Sequence, residues 1–225
     1  MNRFCLASSK SWHKSLFEEL SHRQSEKWIL ISDKKDLQVD LLHQHNIEKI
    51  FFPHWSYIIP KEVYTNFECI VFHMTDLPYG RGGSPLQNLI VRGHEETKIS
   101  ALRVSEGLDT GLIYLKSPLS LHGTAEEIFI RSTAIIKKMI SQIIENTPLP
   151  QNQRGEVVLF KRRKPEDGNI AGLRSIDEIY DFIRMLDCEG YPPAFIETEH
   201  FKLEFSRASL KSDKSIIADV RIISK

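Results

Sequence analysis

Two residues of this 225-residue chain, His73 and Asp109, have the side chains that general acid–base chemistry needs. His73 directly follows Glu68–Phe72, an almost continuous apolar run that is typical of a strand buried on both faces. Asp109 lies in Glu106–Gly111, between two segments that have the pattern of paired strands. Taken alone, each residue also fits a structural role, as a loop histidine or an ordinary turn aspartate. If the two side chains meet, they can move a proton to or from a reacting group.

The loop His73–Gln87 has the composition of a ligand-binding loop. Its glycines allow the backbone to approach a ligand closely, and prolines stiffen the path between them. Arg81 stands among the glycines, and a guanidinium can bind two phosphate oxygens at once. We expect Arg81 to face the substrate, with Tyr79 and Gly82 beside it. The alternative is a solvated or salt-bridged arginine.

The elements that must position these residues follow a βαβα order along the first half of the chain. Short apolar runs predict strands, and apolar residues three or four apart predict helices. The predicted strands are Arg3–Ala7, Trp28–Ser32, Lys49–Phe52, Glu68–Phe72, Lys98–Val104 and Leu112–Leu119. This order predicts an α/β fold with a Rossmann-like, mostly parallel sheet covered by helices. Ligands bind such sheets at the carboxyl ends of the strands, where His73 lies.

The pattern changes after residue 165. Before that point, Thr124–Glu145 is the longest predicted helix, and its first residues form a capping-box pattern. Residues 1–165 are therefore predicted to form one domain, which contains both candidate acid–base residues and would be the catalytic one if they act together. Residues 166–225 are predicted to form a small C-terminal α+β unit with one helix, Ile176–Leu186, and antiparallel strands. The edge of such a sheet needs cover, which favours a homodimer.

Composition narrows the classes of function. Lys+Arg and Asp+Glu are both 30, so the formal net charge of zero argues against a protein whose main task is to hold a nucleic acid. The three cysteines form no CxxC pair, so neither a disulfide framework nor a bound metal is expected. The N-terminus lacks a signal-peptide pattern, and no apolar stretch is long enough to cross a membrane. We expect a cytoplasmic protein without a membrane partner.

The two candidate motifs together resemble those of the formyltransferase-fold family. From His73 the chain matches H-x-x-x-LP-x-x-RG-x-xP-x-Q, and from Asp109 it matches D-TG-x-I. The resemblance is strongest between Pro53 and Pro118. It implies an enzyme that transfers a formyl group from N10-formyltetrahydrofolate to an amine. It also implies that His73 and Asp109 are the catalytic histidine and aspartate.

One catalytic position departs from the family pattern. The family has an asparagine two positions before the histidine, and this sequence has Val71 there. An amide at that point donates to the oxyanion, and losing one such donor costs about 10²–10³ in rate. We expect Asn88 to take this role, because it lies in the same loop system; Thr75 or an ordered water is the alternative. A catalytically impaired homologue that still binds folate or a nucleotide is a further alternative.

The resemblance also implies where the folate lies, between Trp55–Pro60 and Ser105–Asp109. The first of these segments is apolar and aromatic, which suits a flat heterocycle. The residues expected to bind the donor are Trp55, Tyr57, Ile58, Ser105, Leu108 and Asp109. The alternative for Trp55 and Ile58 is a place in the hydrophobic core.

The acceptor is also expected from resemblance alone. The segment His73–Pro85 is most similar to the nucleotide-sugar N-formyltransferases of the pseudaminic-acid pathway, which implies a UDP-linked 4-amino-4,6-dideoxy sugar as partner. Methionyl-tRNA formyltransferase is the alternative. The short C-terminal region and the zero net charge argue against a tRNA, so no nucleic-acid partner is expected. The basic run Lys161–Lys164 is accordingly predicted to be a solvated strand end or linker.

Overall fold

The structure is a computed structural model that describes residues 2–225. The first seven strands are β1 (Asn2–Ala7), β2 (Glu26–Ile31), β3 (Lys49–Pro53), β4 (Glu68–His73), β5 (Tyr79–Gly82), β6 (Glu96–Arg103) and β7 (Ile113–Ser120). All of these except β5 form one six-stranded sheet in the order β2-β1-β3-β4-β6-β7. His73, on β4, and the two strands on either side of Asp109, β6 and β7, therefore belong to a single sheet.

Most neighbouring strands of this sheet are parallel. β1 pairs in parallel with β2 and with β3, and β3 pairs in parallel with β4. β6 runs antiparallel to β4. Along β1, Phe4–Ala7 is buried without interruption, as expected for a strand covered on both faces. The predicted α/β fold with a mostly parallel sheet is confirmed.

Five helices lie in the connections that follow β1, β2, β3, β5 and β7. They are α1 (His13–Ser21), α2 (Val39–Gln44), α3 (Lys61–Asn66), α4 (Pro85–Ile90) and α5 (Ala125–Asn146). α1 buries Leu16 and Leu20, which lie one turn apart on one face of the helix. α5 begins with the predicted capping box, because Thr124 N donates to Glu127 Oε2 at 2.8 Å and Glu127 N donates to Thr124 Oγ1 at 3.3 Å.

The C-terminal region is a small helix-and-sheet appendage, as predicted. After β8 (Val158–Phe160), it contains α6 (Ile176–Arg184), β9 (Ala194–Glu197), β10 (Phe201–Leu210) and β11 (Ile216–Ser224). The last three strands form an antiparallel sheet in the order β11-β10-β9. β5 and β8 pair as a separate two-stranded sheet. The sequence analysis missed this pair, because runs of three or four residues carry too little periodicity to be recognised.

Compactness divides the chain into two units that do not follow chain order. The first contains the residues up to Arg81 together with Lys98–Leu119 and Ile130–Leu159, and the second contains Gly82–Thr97, Ser120–Phe129 and Phe160–Lys225. His73 and Asp109 both belong to the first unit. The predicted domain boundary near residue 165 stays a prediction.

Several features that would indicate other classes of function are absent from residues 2–225. No helix there combines the length and apolarity that a membrane crossing requires. No three His, Cys, Asp or Glu side chains in that range are grouped so that they could hold a metal ion. Cys5 and Cys69 are free and buried, and burial raises the pKa of both thiols, so neither is a ready nucleophile.

Candidate active site at the carboxyl end of the fourth strand

His73 and Asp109 meet where β4 ends. The His73 side chain is 9% exposed and that of Asp109 is 13% exposed. His73 Nδ1 lies 3.6 Å from Asp109 Oδ2. On the opposite side of the ring, Nε2 lies 2.7 Å from the carbonyl oxygen of Gly80. The structure thus brings the two candidates together, and their catalytic roles stay predictions.

Both ring nitrogens of His73 face oxygen acceptors. A neutral imidazole has a single N–H, so it can donate to Gly80 or towards Asp109, but not to both. The doubly protonated ring can donate in both directions. His73 is therefore placed to take up a second proton beside a carboxylate and to release it, which is what a general acid–base catalyst must do.

The loop that follows His73 is fixed by buried hydrogen bonds. Ser100, on β6, donates from Oγ to the Thr75 carbonyl at 2.7 Å and accepts from the Leu77 backbone N–H at 3.2 Å. Ser100 and Thr75 are both fully buried. Buried bonds of this kind hold the loop in one path, which keeps the Gly80 carbonyl beside the His73 ring.

The turn that carries Asp109 has an unusual backbone. Asp109 has a φ of 53° and Gly107 a φ of 94°, both in the left-handed region. Glycine and aspartate are among the residues that adopt this region most readily. A Cβ atom added at Gly111 would lie 1.7 Å from the Arg103 carbonyl oxygen, so only glycine fits there. The D-x-G spacing is thus explained by the backbone that presents Asp109 to His73.

Gln153, which the sequence analysis missed, joins this turn to Arg81. Its Nε2 donates to the Asp109 carbonyl at 2.8 Å and to the Gly111 carbonyl at 2.9 Å. Its Oε1 accepts from Arg81 Nε at 3.0 Å and from Arg81 Nη2 at 2.7 Å. No sequence signal marks this residue, because a glutamine in a polar loop is ordinary loop composition.

The three residues predicted to bind the substrate fall in different surroundings. Arg81 directs one edge of its guanidinium to Gln153, which places it beside the Asp109 turn. Tyr79 is half-buried. Gly82 has a φ of 115°, and a Cβ atom there would lie 2.3 Å from the Phe160 carbonyl oxygen. The backbone alone therefore explains why this residue is a glycine. A role of these residues in binding substrate stays a prediction.

Asn88 uses its amide locally. The residue is 6% exposed, and its Nδ2 lies at 2.9–3.1 Å from the carbonyl oxygens of Gly83, Ser84 and Lys161. Its Oδ1 accepts from Arg92 Nη1 at 3.1 Å. Two amide hydrogens are thus shared among three acceptors, so donating to an oxyanion would require existing bonds to break. The role of Asn88 as oxyanion donor stays a prediction.

Val71 occupies the place of the family's asparagine as a packing residue. It is partly buried and packs against the apolar cluster of Leu77, Leu102 and Ile113. Side chains alternate across a strand, so Val71 and His73 point to the same face of β4. An apolar side chain therefore lies where the family pattern has an amide.

Trp55 contributes both to the core and to a surface suited to a ligand. Its ring packs against a buried cluster that also supports Val104, the residue before Ser105. Its Nε1 is buried, and within residues 2–225 it has no hydrogen-bond partner. A buried donor without a protein partner is costly unless a ligand or an ordered water supplies an acceptor.

Exposed apolar side chains lie in the same two segments. Tyr57 is 44% exposed, Ile58 is 91% exposed and Leu108 is 66% exposed, so the core alternative does not hold for Ile58. Ser105 is exposed as well, with Oγ 3.4 Å from Thr110 Oγ1. Apolar surface beside a polar donor without a partner fits a flat heterocycle with hydrogen-bonding edges, as folate has.

A second histidine cluster lies at the same edge of the sheet. His13 Nδ1 is 2.6 Å from Ser8 Oγ, His13 Nε2 is 3.1 Å from His54 Nδ1, and His54 Nε2 is 3.1 Å from Met74 Sδ. Burial, with help from the charge of Lys10, lowers the pKa of His13 to about 4. Burial also lowers the pKa of His54 well below its ordinary value. These rings are therefore neutral at physiological pH.

Two family models match the chain. The model described as "Formyl transferase" matches residues 11–142, and the model described as "Methionyl-tRNA formyltransferase, C-terminal domain" matches residues 165–223. The methionyl-tRNA formyltransferase of Rickettsia felis is 27% identical over 82% of this chain and 67% of its own length. The chain spans between about half and two thirds of the length of the first curated relatives.

A solved structure described as "Methionyl-tRNA formyltransferase from Clostridium thermocellum" is 50% identical to this chain. The likeness covers 100% of both chains, with a TM-score of 0.97. A sugar N-formyltransferase from Shewanella sp FDAARGOS_354 is 15% identical over 97% of this chain, with a TM-score of 0.68. At that identity the second likeness shows the fold alone.

The expected sugar acceptor, and the expected absence of a nucleic-acid partner, are contradicted by these similarities. The C-terminal segment that looked too short for a tRNA enzyme matches the C-terminal domain of such enzymes. The zero net charge was misleading for a physical reason, since a sum over the whole chain says nothing about local charge. Lys161, Arg162 and Lys164, for example, are consecutive or nearly so, and all three are exposed.

Proposed function

This chain belongs to the formyltransferase family, whose members take the formyl group from N10-formyltetrahydrofolate, and from that premise we propose that it formylates the amino group of methionyl-tRNA. The observation that carries the proposed chemistry is the His73–Asp109 pair at the end of β4. The acceptor is supported by the match of residues 165–223 and by the 50% identical structure.

The residues around Trp55 fit the formyl donor. The Trp55 Nε1 donor and the exposed side chains of Tyr57, Ile58 and Leu108 would hold its flat ring system. When bound, N10-formyltetrahydrofolate supplies a carbonyl carbon that an amine can attack. In this proposal the chain's own residues position that carbon, exclude water and move the protons.

His73 and Asp109 would move the proton that the reaction has to relocate. The acceptor amine loses a proton as its nitrogen bonds to the formyl carbon, and the nitrogen of the departing folate gains one. In this proposal His73 Nδ1 receives that proton, because it faces the Asp109 carboxylate at 3.6 Å. The same nitrogen can then release it, which balances the transfer.

The acceptor's phosphates would be met by local positive charge. Lys161, Arg162 and Lys164 are exposed cations of the second unit. Lysine and arginine side chains that neutralise phosphates provide most of the non-specific affinity for nucleic acids. We propose that this run contacts the tRNA backbone, and that the reaction takes place in the cytoplasm.

The test is to incubate the purified chain with N10-formyltetrahydrofolate and methionylated initiator tRNA, and to measure formylmethionyl-tRNA by mass spectrometry. We expect one formyl group on each methionine. Uncharged initiator tRNA is the matched control, because it keeps the phosphates but lacks the amine. The proposal is overturned if methionyl-tRNA stays unmodified while a UDP-linked amino sugar in a parallel incubation gains a formyl group.

A further inference from the structure

The side chain of Gln153 has every hydrogen-bonding position occupied. The amide has two N–H donors, and both are used, on the carbonyls of Asp109 and Gly111. Its oxygen has two acceptor positions, and both receive hydrogens from Arg81. All four distances lie between 2.7 and 3.0 Å. A surface glutamine without a structural task rarely has such a complete set.

The turn that Gln153 holds also has bonds of its own, because Thr110 Oγ1 donates to the Glu106 carbonyl at 2.9 Å and lies 3.4 Å from Ser105 Oγ. Residues 105–108 are exposed, and the turn contains left-handed backbone at Gly107 and Asp109. Glycine and exposed polar residues leave a turn with many alternative conformations of similar energy. The two bonds from Gln153, to the Asp109 and Gly111 carbonyls, restrict those alternatives at the point where the Asp109 side chain leaves the backbone.

The position of Gln153 is itself well supported. Gln151, two residues earlier, forms an antiparallel bridge to Ile113 on β7, with both backbone bonds at 2.8 Å. Gln153 therefore lies on a segment fixed to the edge of the main sheet. The Asp109 turn directly precedes β7, so the turn and the bridge at Ile113 are both attached to the start of that strand.

We infer that Gln153 is a positioning residue for Asp109, and that it also fixes Arg81 relative to the same turn. The inference rests on the proposed formyl transfer, because Asp109 acts there through His73. Gln153 touches neither His73 nor the reacting atoms. It ties a candidate substrate-binding cation and a candidate catalytic carboxylate to one amide group.

The variant Gln153→Glu separates the two halves of this arrangement. A carboxylate keeps the acceptor positions for Arg81 but has no donor for the Asp109 and Gly111 carbonyls. Gln153→Ala removes both halves. Gln151→Ala is the matched control, because its side chain is exposed and its bridge to Ile113 uses only backbone atoms.

Two measurements test the inference. The first is deuterium uptake of the peptide covering residues 105–112, which needs no substrate; we expect faster uptake in Gln153→Glu and Gln153→Ala than in Gln151→Ala. The second is steady-state formylation. We expect kcat of both Gln153 variants to fall by about 10- to 100-fold, since small misplacements of a catalytic group have effects of this size. We expect Gln153→Glu, which keeps Arg81 bound, to leave the KM for the acceptor within about twofold of wild type.

The outcomes separate this inference from the proposed function. If wild type forms no formylmethionyl-tRNA, the proposed function fails, and deuterium uptake alone decides whether Gln153 holds the turn. Equal uptake in all three variants overturns the inference. So does a kcat of Gln153→Glu equal to that of Gln151→Ala, because the turn would then be held without consequence for catalysis.

Discussion

Two pairs of ionisable side chains at one edge of the main sheet have different surroundings. His73 faces the carboxylate of Asp109 on one side and a carbonyl oxygen on the other. His13 and His54 face each other, a hydroxyl and a thioether, with no carboxylate among those partners. Among these contacts, only the first arrangement places a carboxylate beside an imidazole, and burial in the second arrangement lowers the pKa of both rings.

One sheet edge thus holds two different pairs: the candidate catalytic residues His73 and Asp109, called the reactive pair below, and His13 and His54, called the inert pair. A carboxylate lies beside His73, which suits the proposed proton transfer, whereas burial keeps His13 and His54 neutral. Met74 links the two arrangements in the chain, because it follows His73 and contacts His54. The inert pair therefore supports the backbone from which His73 projects, without competing for its proton.

The largest expected effect comes from breaking the reactive pair. His73→Ala removes the group that moves the proton, and Asp109→Asn removes the charge that stabilises the protonated ring while keeping the shape. We expect either variant to lower kcat of formylation by about 10²–10⁴, the usual contribution of general acid–base catalysis. Steady-state formylation of methionyl-tRNA measures the loss of kcat. A variant that keeps more than about a tenth of wild-type kcat would contradict the assigned role.

The inert pair predicts a loss of stability in acid. The pKa of His13 falls from 6.5 to about 4 on folding, so between these pH values the unfolded chain binds a proton that the folded chain does not. The contribution of His13 to stability is therefore fully present above pH 6.5 and is lost as the pH drops towards 4. For His13 the full loss amounts to about 3 kcal/mol, and His54 adds to it in the same direction. Urea unfolding at a series of pH values measures this slope.

A matched pair of variants assigns the slope to the buried ring. His13→Asn removes the titrating group and can still bond to Ser8, so we expect lower stability at neutral pH but a flatter dependence on pH. His22→Asn removes an exposed histidine and leaves the buried cluster untouched. A slope that is unchanged in His13→Asn would show that acid acts elsewhere in the fold.

The fold and the convergence of His73 with Asp109 were predictable from local signals. Glu68–Phe72 is apolar enough to be a buried strand, and a buried parallel strand delivers its next residue to the carboxyl edge of the sheet. The spacing between Asp109 and Gly111 likewise reflects a backbone that needs glycine at one point. These features depend on residues that are neighbours in the chain.

What could not be predicted depends on contacts between distant segments or on surface charge. Gln153 reaches Asp109 across 44 positions of sequence, and no pattern in its own loop announces that contact. Asn88 looked available because its partners Gly83, Ser84 and Lys161 are visible only in the folded chain. The acceptor was wrongly predicted because the total charge of the chain does not show where cations lie on its surface.

The smallest change in activity is expected at Val71. Val71 points to the same face of β4 as His73, so Val71→Asn places an amide beside the reactive pair. If the oxyanion lacks a donor, this amide supplies one, and we expect kcat to rise by about tenfold, less than the 10²–10³ of an optimised donor. The amide also enters an apolar cluster, so we expect the free energy of unfolding to fall by about 1–3 kcal/mol.

The control for this variant is Val71→Ala, which removes the same packing but adds no donor. Both variants should be less stable than wild type, and only Val71→Asn should be faster. If Val71→Asn lowers kcat as Val71→Ala does, another group already donates to the oxyanion. The reactive pair would then work with a donor that the family pattern does not predict, and Val71 would be a packing residue beside a complete site rather than the mark of a missing amide.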